Sequence, residues 1–165
     1  MRTGRIVAIT CIGVLLAVLI VSYLLLSSEG LSARKKPGNF EYAVANFAMG
    51  LSIPAQSKAL KNPLTPDPQL LADARQHFKE RCAVCHAEDG SGKTTVAAGL
   101  SPEVPDLHAD HIQQLTDGEL FYIIKNGVRF TGMPAWDLED HHNWSLVLLI
   151  RQFAKESSIP PSPRR

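Results

Sequence analysis

Hydrophobic residues follow two different patterns along this chain. From Ile6 to Leu26, 21 consecutive residues carry no charge and are almost all apolar, which is long enough to cross a bilayer as a helix. In the remainder, apolar residues recur at intervals of three and four positions, the spacing of amphipathic helices. No stretch alternates apolar and polar residues convincingly, as a half-buried strand does. The pattern therefore predicts an all-α protein with one apolar helix near its N-terminus.

The first amphipathic segment is residues 39–51. Its apolar positions recur at helical intervals: Phe40, Ala43, Val44, Phe47, Ala48 and Leu51. We expect this helix to pack on the domain that follows it, and the alternatives are a position on a membrane surface or against a partner subunit. Four prolines lie from Pro54 to Pro68, so this stretch is predicted to be an extended strap.

Three further helices are predicted in the second half of the chain. The first begins near Pro68, with Thr65 or Asp67 as its N-cap. The second begins with Thr116 and Glu119, which have the spacing of a capping box. The predicted helices cover approximately residues 68–86, 116–126 and 139–156.

The first of these helices runs into the sequence Cys82-Ala83-Val84-Cys85-His86. Two cysteines two residues apart, followed directly by histidine, are typical of c-type haem attachment. Each thiol can add across one haem vinyl group, and a helical turn places the two thiols on neighbouring faces. The imidazole of His86 can then take an axial position on the iron.

Two other chemistries use the same residue types. A structural zinc site needs four ligands, usually with a second pair at matching spacing, and Cys11, far upstream, is the one further cysteine. A redox dithiol of the thioredoxin type needs a βαβ surround, which the pattern does not predict. We therefore favour haem over zinc and dithiol chemistry.

Charge is distributed unevenly over the chain. The formal net charge is +1, but residues 67–156 contain 14 acidic and 8 basic residues, a balance of −6. An acidic domain argues against a nucleic-acid partner, and its surface could dock on a basic patch of a redox protein. With 45% hydrophobic and 20% charged residues, the chain is globular rather than disordered.

A second iron ligand would distinguish an electron carrier from a protein that binds gases or peroxide. Met133 is the strongest candidate, because Gly132 permits close approach to a flat ring and Pro134 stiffens the loop. The alternatives are a core-filling role for Met133 and ligation by His108 or His111. The other histidines are expected at the surface: His77, His141 and His142.

Residues 65–156 resemble the class I cytochromes c, single-haem electron carriers of bacteria and mitochondria. The matching stretches are Cys82 to His86, Pro105-Asp106-Leu107, the helix 115–127, Thr131 to Trp136 and the last helix. The resemblance implies a cytochrome c fold, with three to five short helices around one covalently bound haem.

The family pattern also implies roles for individual residues. Cys82 and Cys85 become the thioether links to one haem c, His86 the proximal iron ligand and Met133 the distal one. The carbonyl of Pro105 would accept the other ring N–H of His86 and so fix the ring.

Further roles rest on the positions of residues beside these ligands. Arg129 and Trp136 flank the Met133 loop and could hold the haem propionates. In the family the first and last helices cross beside the haem, and the candidate contact residues are Ala74 and Phe78 on the first, and Trp144 and Leu148 on the last.

The apolar run 6–26 is predicted to be an uncleaved anchor. It is longer than the apolar region of a signal peptide, and residues 27–30 offer no convincing cleavage site. Arg2 and Arg5 favour an inside N-terminus, whereas the cluster 34–36 favours the opposite orientation. Because bacterial c-type haem is attached outside the cytoplasmic membrane, as the resemblance implies, we place the C-terminal domain in the periplasm.

The functional hypothesis is a membrane-tethered electron carrier, not an enzyme, that passes single electrons between redox partners of a respiratory chain. The alternatives are a fixed haem c subunit of a larger oxidase or dehydrogenase complex, and a peroxidase or gas sensor with an exchangeable sixth site. The predicted organisation is a basic segment 1–5, an anchor 6–26, a linker and strap 27–64 with the helix 39–51, a haem domain 65–156 and a disordered tail 157–165.

Overall fold

The computed structural model of the chain describes residues 2–29, 32–33, 36–136 and 138–157. Over these residues the chain is helical and contains no β-strand, which confirms the all-α prediction. The chain divides into two units, residues 1–33 and 34–165. The predicted tail lies outside the described residues from position 158 onward, as do Arg34 and Lys35 of the second basic cluster.

The first unit contains one helix, α1, which extends over Arg2–Glu29. Its segment Thr3–Ser27 has 25 residues and is long and apolar enough to cross a membrane. The predicted span 6–26 lies inside this segment. A signal sequence near an N-terminus can pass the same test of length and composition, so the helix is consistent with either role.

The second unit contains the remaining helices. Their bounds are α2 Asn39–Ser52, α3 Ala55–Lys58, α4 Pro68–Arg81, α5 Ala83–His86, a 3₁₀ turn Ala97–Gly99, α6 Asp110–Gln113, α7 Asp117–Asn126 and α8 Asp140–Ser157. Three of them, α4, α7 and α8, supply most of the hydrophobic core. The others are short turns or, in the case of α2, bury no residue.

The core is built where α8 packs against α4 and α7. The ring of Phe78 on α4 meets the ring of Phe153 on α8 edge to face, with centroids 5.2 Å apart. Trp144 of α8 stacks on Phe121 of α7 at 4.1 Å. Of the α8 residues predicted for the α4–α8 contact, Leu148 is half-buried and Trp144 packs on α7. Phe153, which was not predicted for this contact, supplies the ring that packs on Phe78.

Local capping fixes where these helices begin and end. The side chain of Asp67 accepts hydrogen bonds from the N–H groups of Gln69 and Leu70 at the start of α4. The capping box of Thr116 and Glu119 is present at the start of α7. Both N-caps satisfy backbone donors that have no partner inside the helix. They therefore set the first residue of α4 and of α7.

The strap differs from its predicted extended form at α3. Pro54 supplies the φ value of a helix start, and the four-residue turn that follows packs on α7. A Cβ atom on Gly118 would lie 1.9 Å from the carbonyl oxygen of Ser57. Glycine at position 118 therefore allows α3 to approach the backbone of α7 directly.

The expected packing of α2 on the domain is wrong. The helix forms over Asn39–Ser52, but none of its residues is buried. Its large apolar side chains are exposed, although their spacing is that of a helix with one buried face. The spacing correctly predicted the helix and its apolar face, but the domain does not cover that face.

Candidate haem site

The haem motif forms a single helical turn directly after α4. The N–H of Cys82 donates to the carbonyl of Phe78, and the N–H groups of Cys85 and His86 donate to the carbonyl of Cys82 at 3.1 and 2.9 Å. Both thiols and the imidazole therefore project from one turn whose position is set by α4. All three side chains are half-buried.

The thiol of Cys82 is held in its neutral form. Burial raises the pKa of this thiol to about 11, and the neighbouring charge of Arg81 only partly opposes the effect. Zinc ligation and disulfide exchange both require a thiolate. The described residues also contain no group of three or more His, Cys, Asp or Glu side chains arranged to hold a metal ion. The surroundings of Cys82 thus disfavour the thiolate that zinc and dithiol chemistry would need.

The ring of His86 presents a buried nitrogen without a standard hydrogen-bond partner. Its Nδ1 atom is fully buried and makes no hydrogen bond of regular geometry. Burial lowers the pKa of His86, while the carbonyl of Pro105 lies close enough to raise it in part. A buried imidazole N–H beside a carbonyl acceptor is the usual support of a metal-ligating histidine.

Two glycines hold the Pro105 segment against the motif. The N–H of Gly92 donates to the carbonyl of His86 at 2.8 Å, and the N–H of Leu107 donates to the carbonyl of Gly90 at 2.9 Å. Gly92 has a φ of +70°, and a Cβ atom there would lie 2.9 Å from the Val104 oxygen. Neither glycine was among the predicted site residues, although two glycines within three positions are a signal for an unusual backbone.

Met133 lies in a loop that is closed on itself. The N–H of Val128 donates to the carbonyl of Met133, and the N–H of Met133 donates to the hydroxyl of Thr131, both at 3.1 Å. That hydroxyl in turn donates to the carbonyl of Val128 at 2.8 Å. The loop begins at Gly127, whose φ of +66° ends α7. The half-buried side chain of Met133 is therefore carried on a fixed backbone.

The segment around Met133 approaches residues near the haem motif at two points. A Cβ atom on Gly132 would lie 2.9 Å from the side chain of Leu100, which follows the 3₁₀ turn that packs on α5. The guanidinium of Arg81, directly before Cys82, lies over the Trp136 ring, 5.8 Å from its centroid. Trp136, three residues after Met133, therefore lies beside the residue that precedes the motif.

The two predicted propionate partners have different surroundings in the structure. Trp136 is half-buried and contacts Arg81, whereas Arg129 is exposed. Arg81, the cation that lies over the Trp136 ring, was not predicted as a site residue. Its position directly before Cys82 was the available signal, since a charge there must lie beside the motif.

The remaining histidines have other surroundings. The Nδ1 atom of His108 lies 2.6 Å from the carboxylate of Asp106. His111 and His141 are exposed. The surface position predicted for His77 is wrong, because its ring is half-buried and lies 4.5 Å from the ring of His142, which is half-buried as well. Neither partner of this pair lies in the Met133 loop or the haem motif.

These residues fit a covalently bound haem. Two thiols and one imidazole share a helical turn, the imidazole has a buried nitrogen and lies near the Pro105 carbonyl, and Trp136, just after the Met133 loop, lies beside the residue that precedes the turn. Histidine and methionine are the iron ligands of cytochromes c, and two cysteines at this spacing are typical of covalent haem attachment.

Comparison with known sequences identifies a c-type cytochrome domain in this chain. Residues 69–150 match a family model described as "Cytochrome C oxidase, cbb3-type, subunit III". Among solved structures, the chain is similar to one chain of the Kuenenia stuttgartiensis reducing HAO-like protein complex Kustc0457/Kustc0458, with 21% identity and a TM-score of 0.48. That similarity covers 63% of this chain and half of the Kuenenia chain. No curated protein sequence matches.

Proposed function

Because residues 69–150 make this chain a class I c-type cytochrome, we propose that it is a membrane-tethered monohaem electron carrier. It transfers single electrons between redox partners of a respiratory chain, and its iron has His86 and Met133 as axial ligands. A cytochrome domain implies haem c. When bound, the haem supplies a one-electron iron couple.

The thiols of Cys82 and Cys85 hold the haem in this proposal. Both thiols would hold the haem through thioether links to its two vinyl groups, with each S–H hydrogen passing to the vinyl carbon beside the new carbon–sulfur bond. Support comes from the single turn that presents both thiols. The links retain the haem through every redox cycle.

His86 is the proximal ligand, and Pro105 orients it. An Nδ1 proton shared with the nearby Pro105 carbonyl would leave the other ring nitrogen basic and available to bind the iron. The hydrogen bond from the Gly92 N–H to the His86 carbonyl holds the turn at Gly92 against the haem motif.

Met133 is the distal ligand in this proposal. Its thioether favours ferrous iron and raises the reduction potential compared with a second histidine. The closed loop 128–133 holds the sulfur in position, which limits the rearrangement on electron transfer. Trp136 and Arg129 remain the proposed propionate partners, and Arg81 joins them because it lies over the Trp136 ring.

The single observation that carries this proposal is the one helical turn that presents Cys82, Cys85 and His86 together. The test is a reductive titration of the purified full-length protein with spectra recorded at each step, together with its intact mass. One covalently bound haem, a one-electron Nernst curve and slow carbon monoxide binding are expected. Rapid carbon monoxide binding to the reduced protein would instead indicate an exchangeable sixth site.

The tether is α1. We place it across the bacterial cytoplasmic membrane with the haem domain in the periplasm, supported by the 25-residue apolar segment. An intact-mass measurement on protein from bacterial membranes checks this, because a cleaved signal sequence would remove α1. Alkaline carbonate should leave the intact chain in the membrane fraction.

A fixed subunit of a larger complex is the second candidate function. It is favoured by the matching family model, whose description names an oxidase subunit. Extraction in mild detergent followed by size measurement distinguishes the two functions. A lone monomer would contradict the subunit hypothesis, and co-elution with other redox subunits would contradict the free carrier.

A further inference from the structure

The apolar face of α2 is turned away from the domain. Phe40, Val44, Phe47 and Leu51 are 83%, 49%, 69% and 71% exposed. At 100° per residue they fall within about 60° of one another around the helix. We call these four side chains the α2 stripe. No charged residue falls within it.

The domain contacts α2 from its other side. The residues of α2 that are half-buried are Met49 and Gly50, which lie on average opposite the stripe. The amine of Lys58 donates to the carbonyl of Gly50 at 2.6 Å. Directly after the helix, Ile53 is buried. These contacts fix the C-terminal end of α2 on the domain with the stripe facing outward.

The connection between α1 and α2 is short. Nine residues, 30–38, separate the two helices, and they can span at most about 30 Å when fully extended. Three of them are the cations Arg34, Lys35 and Lys36, of which Lys36 forms an exposed ion pair with Glu103 at 2.6 Å. Basic residues beside an apolar helix face are attracted to anionic lipid headgroups.

We propose that α2 lies in the surface of the membrane that α1 spans, with the α2 stripe against the acyl chains. This rests on the anchoring role of α1 in the proposed function. Aromatic and aliphatic side chains on one narrow face are typical of helices that lie in the bilayer interface. Because α2 is attached to the domain through Gly50 and Ile53, its position orients the haem domain on the membrane as well as tethering it.

The experiment places an environment-sensitive fluorophore on the stripe of the full-length holoprotein in liposomes containing anionic lipid. The variant Phe47→Cys carries the label in a Cys11→Ser background, since the haem consumes the other two thiols. Asn46→Cys is the matched control, because Asn46 is exposed and lies about 130° from the centre of the stripe. Quenching by lipids with a spin label near the headgroup is measured for both.

The expected result is blue-shifted emission and at least about fivefold stronger lipid quenching at position 47 than at position 46, as for an interfacial helix. Emission typical of water at both positions would overturn the proposal, because the stripe would be uncovered. Blue-shifted emission without lipid quenching would also overturn it, since a protein would then cover the stripe. Retention of the same sample after alkaline extraction reports on the α1 anchor separately.

Discussion

Helices α2 and α7 have similar hydrophobic spacing and opposite surroundings. In α7, Leu120, Phe121 and Ile124 are buried against α8. In α2, apolar side chains of comparable size are exposed. Both were predicted as amphipathic helices, and both form. The difference shows that periodicity specifies an apolar face, while what covers that face depends on the rest of the fold or on its environment.

The two helices also differ in how they begin. α7 has a complete capping box, and Thr116 additionally donates to the carbonyl of Lys58 at 3.1 Å. α2 begins after Gly38, with no side-chain cap. A helix without a cap and without a buried face has little to stabilise it in water. This contrast supports an apolar environment for α2.

The largest expected contrast comes from truncating one phenylalanine in each helix. Phe121→Ala removes a buried ring that stacks on Trp144 and should lower the unfolding free energy of the domain by about 3–5 kcal/mol. Phe47→Ala removes an exposed ring and should change it by less than about 0.5 kcal/mol. Guanidinium unfolding of the holoprotein in detergent, followed by haem absorbance, measures both. Equal losses would mean that α2 packs on the domain.

A pair of glycine substitutions gives a smaller contrast of opposite sign. Gly118→Ala places a Cβ atom 1.9 Å from the Ser57 oxygen, so α3 must move, at a cost of about 1–3 kcal/mol. Gly50→Ala meets nothing within 4 Å and should favour α2 by about 0.5–1 kcal/mol through helix propensity. The same unfolding experiment reads out the first change, and helix content by circular dichroism reads out the second. A neutral Gly118→Ala would show that α3 is not held on α7.

Removal of the α7 cap should have the smallest effect of the three. Thr116→Ala leaves the N–H of Glu119 without its hydroxyl partner and should cost about 1 kcal/mol. Thr65→Ala, on the exposed strap, is the matched control with no expected change. If Thr65→Ala lowered the unfolding free energy as much as Thr116→Ala does, the capping box would not be what stabilises α7.

Local sequence features predicted the elements that depend on neighbouring residues. The Asp67 cap, the Thr116–Glu119 box and the turn from Cys82 to His86 involve groups a few positions apart, so their chemistry is visible in the sequence. Other features depend on residues far apart in the chain. The contacts of Gly92 with Val104, Arg81 with Trp136 and His77 with His142 follow from how the elements pack. Neither composition nor spacing encodes such pairings.

The central claim is that Met133 completes the ligation of a haem held by Cys82, Cys85 and His86. The most direct measurement is the far-red absorbance of ferric Met133→Ala together with its reduction potential, with Met49→Ala on α2 as the control. We predict that Met133→Ala loses the methionine–ferric iron band and has a lower potential, because a soft ligand of ferrous iron is gone. Met49→Ala should keep both. A Met133→Ala protein that retains the band and the potential of the unaltered chain would contradict the account.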